Sequence, residues 1–246
     1  MISVIMSAYN HLPYLGEAIE SILGQTYEDF EFFIVDDASS EPVWDLVQHY
    51  ARLDSRIRPF RNSQNVGLAE SLNNALDLAQ GEFIARQDAD DRSHPERFAK
   101  QLAAFSADVG LVTTWALPID LMGSIIGGGG YERKCHIQSD EAAQIVRGMQ
   151  RNAVIEPSMM FSRAAFDQVG YHDANVGWLE SYNYVLRILQ FFELAVIPEV
   201  LYFRRRDTST NQRTTKEELA RNRALNFPII KDRQAREQAI NLKLSG

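Results

Sequence analysis

A chain of 246 residues with 45% hydrophobic and 24% charged residues and a formal net charge of -8 has the composition of a globular protein with a sizeable core. That charge argues against a general nucleic-acid binder, which carries a basic patch or stripe, and no apolar run approaches the roughly 20 residues of a membrane-spanning helix. The apolar start Met1 to Met6 is short and lacks the basic leader of a signal peptide, and the single cysteine, Cys135, has no partner for an internal disulfide, so a reducing, cytoplasmic location is expected.

The elements follow in a regular order. Ile2 to Ala8 reads as a short buried strand ending at Tyr9-Asn10. Pro13 suits a first helical turn, after which Leu15, Ala18, Ile19, Ile22 and Leu23 recur at helical spacing. Phe30 to Val35 is a second apolar run, stopping at Asp36-Asp37-Ala38-Ser39-Ser40, and Val43, Leu46, Val47 and Tyr50 then mark an amphipathic helix. A strand over Ile57 to Phe60 leads through Asn65-Val66-Gly67 into a helix carrying Leu68, Leu72, Ala75, Leu76 and Ala79. The strand Phe83 to Ala85 enters an acidic stretch, Asp88-Ala89-Asp90-Asp91, followed by a helix over Pro95 to Phe105 and a strand over Leu111 to Thr114. This alternation predicts a mostly parallel, Rossmann-like sheet with helices on both faces. Ligands of such sheets bind beyond the carboxyl ends of the strands, so the polar clusters at Tyr9-Asn10, Asp36-Asp37 and Asp88 to Asp91 should converge on one rim.

Beyond Thr114 the pattern loosens. Gly127 to Gly130 predicts a loop, Ser139 to Met149 a helix, Ser158 to Phe161 a strand, Ser162 to Val169 a helix, Glu180 to Phe192 another helix, and Val200 to Phe203 a last strand. From Phe203 onward 11 basic residues face 5 acidic ones, a tail of +6 beneath a body of -14. Such a tail suits contact with an anionic membrane surface or an acidic acceptor, and equally a solvated pair of helices.

Three carboxylates in four positions repel one another unless a cation neutralises them, and oxygen ligands suit hard ions such as Mg2+ or Mn2+, commonly shared with ligand phosphates. A competing reading makes Asp91 or Ser93 a cap for the helix that follows. The histidines, His11, His49, His94, His136 and His172, lack the close spacing of a metal cluster.

The ordered set Val4 to Asn10, Ser21 to Tyr27, Val35-Asp36-Asp37-Ala38-Ser39, Asn65-Val66-Gly67-Leu68 and Ala85 to Asp91 resembles the nucleotide-binding half of the family-two glycosyltransferases with the GT-A fold. The resemblance implies a single GT-A-like domain: a donor half over residues 1–115, an acceptor half over 116–203 and a basic helical tail over 204–246. It implies inverting transfer from a nucleotide-sugar donor, commonly UDP-linked, to a saccharide or lipid-linked acceptor in surface polysaccharide synthesis, with Mn2+ or Mg2+ bridging the donor diphosphate to an Asp-x-Asp motif. Carried over, Ala8 and Tyr9 border the base, Asp37 accepts from uracil or ribose with Asp36 beside it, and Asp88 begins the Asp-x-Asp pattern. Asp90 and Asp91 become the metal and ribose contacts. Arg86 meets donor groups or pairs with the carboxylates, and Asn65 serves either the donor or the turn into its helix.

The sequence departs from the family at the general base. Where the family places an Asp in the run Glu180-Ser181-Tyr182-Asn183 stands Ser181, and Asn183 replaces the next acid. A hydroxyl that stays un-ionised at neutral pH is no general base, which leaves Glu180 as the nearest carboxylate and Glu156, before Pro157-Ser158, as a second candidate. The same departure raises a rival expectation, a nucleotide-sugar-binding homologue with weak or no transferase activity. The expected His after the last strand is also missing, with Arg204-Arg205-Arg206 in its place; arginine ligates no metal but clamps phosphate oxygens.

Overall fold

The computed structural model describes residues 1–126 and 154–206. The predicted Gly127 to Gly130 loop, the Ser139 to Met149 helix, Cys135, His136 and the tail beyond residue 206 lie outside the described residues. Among the described residues eight strands form one sheet in the order β3-β2-β1-β4-β7-β6-β8-β5. β1 (Ile2–Ala8), β2 (Phe30–Asp36), β3 (Ile57–Arg61) and β4 (Phe83–Arg86) run parallel. β7 (Met160–Ser162) is antiparallel to both β4 and β6 (Val109–Ile119), β6 pairs in parallel with β8 (Glu193–Arg205), and β5 (Arg92–Ser93) is antiparallel to β8. The sheet is thus mixed: β1 to β4 form one parallel block, β6 and β8 a second parallel pair, and β5 and β7 run antiparallel to their neighbours.

The strands read as near-continuous apolar runs because both of their faces are covered. On one face α1 (Leu12–Leu23), α2 (Val43–Leu53) and α4 (Arg97–Ala103) pack Leu15, Ile19, Ile22, Val47 and Phe98 against Val4, Met6, Phe32 and Ile34. On the other, α3 (Leu68–Leu78), α5 (Arg163–Val169) and α6 (Glu180–Ile188) pack Leu72, Leu76, Ala165 and Val185 against Ile5, Phe33, Val35 and Ile84. The alternation of Val4, Ile5 and Met6 between two cores is the period-two geometry of a strand.

Several expected elements shift. The strand expected at Leu111 to Thr114 extends over Val109–Ile119, the one at Val200 to Phe203 over Glu193–Arg205, and the helix from Glu180 ends at Ile188. Arg204 and Arg205 therefore belong to the last strand and do not open a helical tail. Ser158, expected in a strand, closes a 3-10 turn over Glu156–Ser158. Tyr182 and Tyr184 are buried, so this aromatic pair belongs to the core.

Candidate active site

The strand ends meet as the parallel topology requires. Asp37 N–H donates to the Ala8 carbonyl at 2.9 Å, joining the ends of β1 and β2. Asn10 N–H donates to Ser39 Oγ at 3.1 Å, and Asn10 Oδ1 accepts from Ser40 N–H at 2.9 Å. Both turns use the left-handed region at non-glycine residues, Asn10 at φ 56° and Ala38 at φ 58°, a conformation that costs an L-residue energy and is held here by the surrounding bonds. Ala8 is buried and Tyr9, next along, is exposed.

The two acids after β2 are already engaged. Asp36 accepts from Ser39 N–H at 2.9 Å and pairs with Arg61 Nε at 3.1 Å. Asp37 Oδ1 accepts from Asn62 Nδ2 at 2.8 Å and Val66 N–H at 2.9 Å, and Oδ2 accepts from Gly67 N–H at 2.8 Å. Asp37 thereby shapes the loop into α3, where Gly67 takes φ 87°, a value that favours glycine. Asn65 is exposed on that loop. With two lone pairs on each oxygen, the Asp37 carboxylate retains one acceptor position, on Oδ2.

The acidic stretch divides by burial. Asp88 is half-buried and accepts from Arg86 Nε at 2.9 Å. Asp90 is half-buried, and among the described residues no other side chain hydrogen-bonds its carboxylate; burial, then the charge of Asp88, holds it above the usual carboxylate range. Asp91 is only 2% exposed and accepts from Arg205 N–H of β8 at 2.6 Å. Burial followed by Asp90 and Asp88 pushes its carboxyl well up. Neither Asp91 nor Ser93 caps the following helix, because α4 begins at Arg97 after Glu96 with no side-chain cap, so the capping reading fails. Arg205 flanks the loop: its Nε donates to the Asp90 carbonyl at 2.8 Å, its Nη1 to the Asp120 carbonyl at 2.9 Å, and its Nη2 to Glu17 of α1.

Residues of the second half of the chain close the site. Gly177, at φ 61°, turns the chain so that α6 starts at Glu180, an acid in a first turn where the helix dipole favours it. Glu180 is buried, lies 3.8 Å from Arg86 Nη1 and accepts from the Ser181 hydroxyl. Arg86 Nη1 also donates to Ser181 Oγ at 2.5 Å. Burial opposes the charge on Arg86, but Asp88, Glu180 and Glu156 more than offset this and raise its pKa. A cleft of about 600 Å³ gathers Arg86, Asp88, Glu156, Glu180, Ser181 and Arg204 with the start of α3. It brings Asp88 and both candidate bases to one space, whereas Ala8, Tyr9, Asp36, Asp37, Asp90 and Asp91 do not line it. Among the described residues no three His, Cys, Asp or Glu side chains are grouped to hold a metal by themselves, so a cation here would share its coordination with ligand oxygens.

Sequence reasoning missed Asn62, Gln87, Arg97 and Tyr202, which hold these acids in place. Tyr202 accepts from Asp88 N–H at 3.2 Å across the sheet, and Gln87 Nε2 donates to the carbonyls of Asp88 and Asp91, both at 3.0 Å.

The sequence profile described as glycosyl transferase family 2 matches residues 3–170. The chain belongs to that family. The glycosyltransferase domain superposes on the crystal structure of S. aureus TarS 1-349 in complex with UDP-GlcNAc at a TM-score of 0.72 and 18% identity, over 92% of this chain and 65% of that one. It also matches the mannosyltransferase PcManGT from Pyrobaculum calidifontis in complex with GDP-Man and Mn2+ at 0.61 and 19%, over 86% and 57%. These likenesses show the GT-A-like fold. In sequence it is 38% identical over 91 residues to the UDP-Glc:alpha-D-GlcNAc-diphosphoundecaprenol beta-1,3-glucosyltransferase WfaP of Escherichia coli, 37% of this chain and 36% of that protein. The chain spans less than half the length of the curated relatives it matches. No helix among the described residues is long and apolar enough to cross a membrane.

Proposed function

We propose that this glycosyltransferase moves a sugar from a UDP-linked donor to a hydroxyl of a saccharide or lipid-linked acceptor, with inversion and with Mn2+ or Mg2+ on the donor diphosphate, in surface polysaccharide synthesis. The observation that carries the reading is the cleft in which Asp88 and Arg86, at the exit of β4, face Glu156 and Glu180 from the acceptor half. The relatives' UDP-sugar, lipid-linked acceptor and Mn2+ agree with it.

The donor set fits a hard cation. Asp90 offers a carboxylate that no other described side chain hydrogen-bonds and whose charge burial disfavours; a neighbouring cation would relieve that cost. Asp91, held inward by Arg205, positions the loop in this reading. When bound, the cation supplies Lewis-acid stabilisation of the departing diphosphate. Ala8 and Tyr9 border the base and the remaining lone pair of Asp37 faces base or ribose, while Asp36, fully buried and held by Ser39 N–H and Arg61, supports that turn and Asn65 contributes through its own. Arg86 holds Asp88 and Glu180 on one wall, and Arg204 lines the same space, where a guanidinium suits phosphate oxygens. Glu180 accepts the proton of the attacking hydroxyl, with Glu156 as the second candidate.

A second reading, a nucleotide-sugar-binding homologue with weak or no transferase activity, is favoured by one observation: the Ser181 hydroxyl lies between Arg86 and Glu180 where the family has an acid. A panel of nucleotide sugars with Mn2+ and simple glycoside acceptors separates the two. Donor-dependent turnover supports transfer; donor binding without turnover across the panel supports the second reading.

A further inference from the structure

Among the described residues Arg97 is the largest fully buried side chain, 0% exposed, and none of their carboxylates makes a direct pair with it. Its guanidinium donates only to neutral acceptors: Nε to Gln101 Oε1 at 3.0 Å, Nη1 to Gln87 Oε1 at 3.0 Å and Ser93 Oγ at 2.6 Å, and Nη2 to the Arg86 carbonyl at 2.6 Å. The rings of Phe98 and Tyr202 each lie 5.3 Å from it. Burial pushes its pKa down to about 10. Burial disfavours this cation, and the charges of Asp88 and Asp91, out of hydrogen-bond reach, partly offset the cost, which the fold sustains behind the acidic stretch.

What the guanidinium does follows from the amide it touches. Gln87 Oε1 receives Arg97 and also Ser93 Oγ–H at 2.7 Å. With donors on that side the amide has one orientation, and Nε2 must face the carbonyls of Asp88 and Asp91, the two ends of the acidic loop. On its other side Arg97 holds Gln101, whose Nε2 donates to the Ser158 carbonyl at 2.7 Å and the Val112 carbonyl at 3.1 Å. Ser158 ends the turn that carries Glu156.

We infer that Arg97 is a positioning residue: it orients the Gln87 amide that clasps both ends of the 88–91 loop, and through Gln101 it fixes the Glu156 turn, so cation affinity and the opposite wall of the cleft are set by one buried side chain. This rests on the proposal that a divalent cation joins the donor diphosphate at Asp90.

The test is calorimetric titration of UDP, with and without Mn2+, into wild type, Arg97→Lys and Gln87→Glu. Gln87→Glu keeps acceptors for Arg97 and Ser93 but turns an oxygen toward the two loop carbonyls; by charge alone it would tighten cation binding, whereas loss of the clasp weakens it. Both variants are expected to lose about 10- to 100-fold of the Mn2+-dependent tightening, with metal-free UDP affinity unchanged to within about twofold. Wild-type tightening retained in a folded variant, an equal fall in both affinities, or a tighter Gln87→Glu overturns the inference alone. Absence of any Mn2+ effect in wild type overturns both it and the metal reading. Should circular dichroism show Arg97→Lys unfolded, Gln87→Glu decides the matter.

Discussion

Replacing Glu180 by glutamine isolates the proton-accepting role from the fold. The amide keeps an oxygen for the Ser181 hydroxyl and removes the charge 3.8 Å from Arg86. At an effective dielectric of about 20, unit charges at that separation attract by about 4 kcal/mol. Relief of the carboxylate's burial offsets much of this, and Arg86 keeps Asp88 at 2.9 Å, so a net stability loss of about 1–2 kcal/mol is expected. Loss of a general base lowers kcat by about 10²- to 10⁴-fold, which corresponds to about 3–5 kcal/mol in the activation barrier. The assay pairs kcat and KM at saturating Mn2+ with urea denaturation and UDP titration. A kcat within about tenfold of wild type, in a variant that binds UDP normally, refutes the assignment to Glu180. A large fall in Glu156→Gln beside it would move the role to Glu156.

Asp90→Asn should weaken Mn2+-dependent UDP binding about tenfold or more while leaving metal-free binding in place, and unaltered affinity in calorimetry would remove Asp90 from the cation. His172 is buried, stacks on Tyr184 at 4.0 Å, has no hydrogen-bond partner for either ring nitrogen among the described residues, and is held well below its usual pKa by burial, then Arg86 and Arg187. The unfolded chain therefore binds the extra proton below about pH 6.5, and stability should fall as pH drops through that range. His172→Phe keeps the stack and should flatten this slope in chemical denaturation; an unchanged slope contradicts the argument. Ala38→Gly should raise stability by about 0.5–1 kcal/mol, the left-handed strain relieved at φ 58° less the added freedom of the unfolded chain, and a lowered melting temperature would oppose it.

The first half of the fold was legible because buried parallel strands are unbroken apolar runs; β1 has the bounds its residues suggest. The second half was less so. β6 and β8 carry Pro118 and Pro198 and shift register between Thr114 and Trp115, so their pattern is interrupted although their pairing is long. The two-residue β5 has no periodicity to detect. Within the site, crowding of charge exposed Asp36, Asp37 and Asp88 to Asp91. Their supports are neutral amides, a phenol and one arginine whose roles depend on contacts remote in sequence, such as Asn62 with Asp37 and Tyr202 with Asp88. Arg97 left a faint mark: a charged residue and Gln101, four apart, on the same buried stripe as Phe98.

The pairing of β5 with β8 has a practical bearing on chimaeras. Arg92 and Ser93 lie opposite Phe203 and Tyr202, and the loop just before them is fastened by the Tyr202 hydroxyl and the Arg205 amide. A segment excised after residue 115 would lose these fastenings, and one grafted onto a foreign second half would inherit that half's last strand as the mould for its own aspartates. Under the proposed function, exchange of donor preference between relatives calls for transplanting the final strand together with the opening hundred residues.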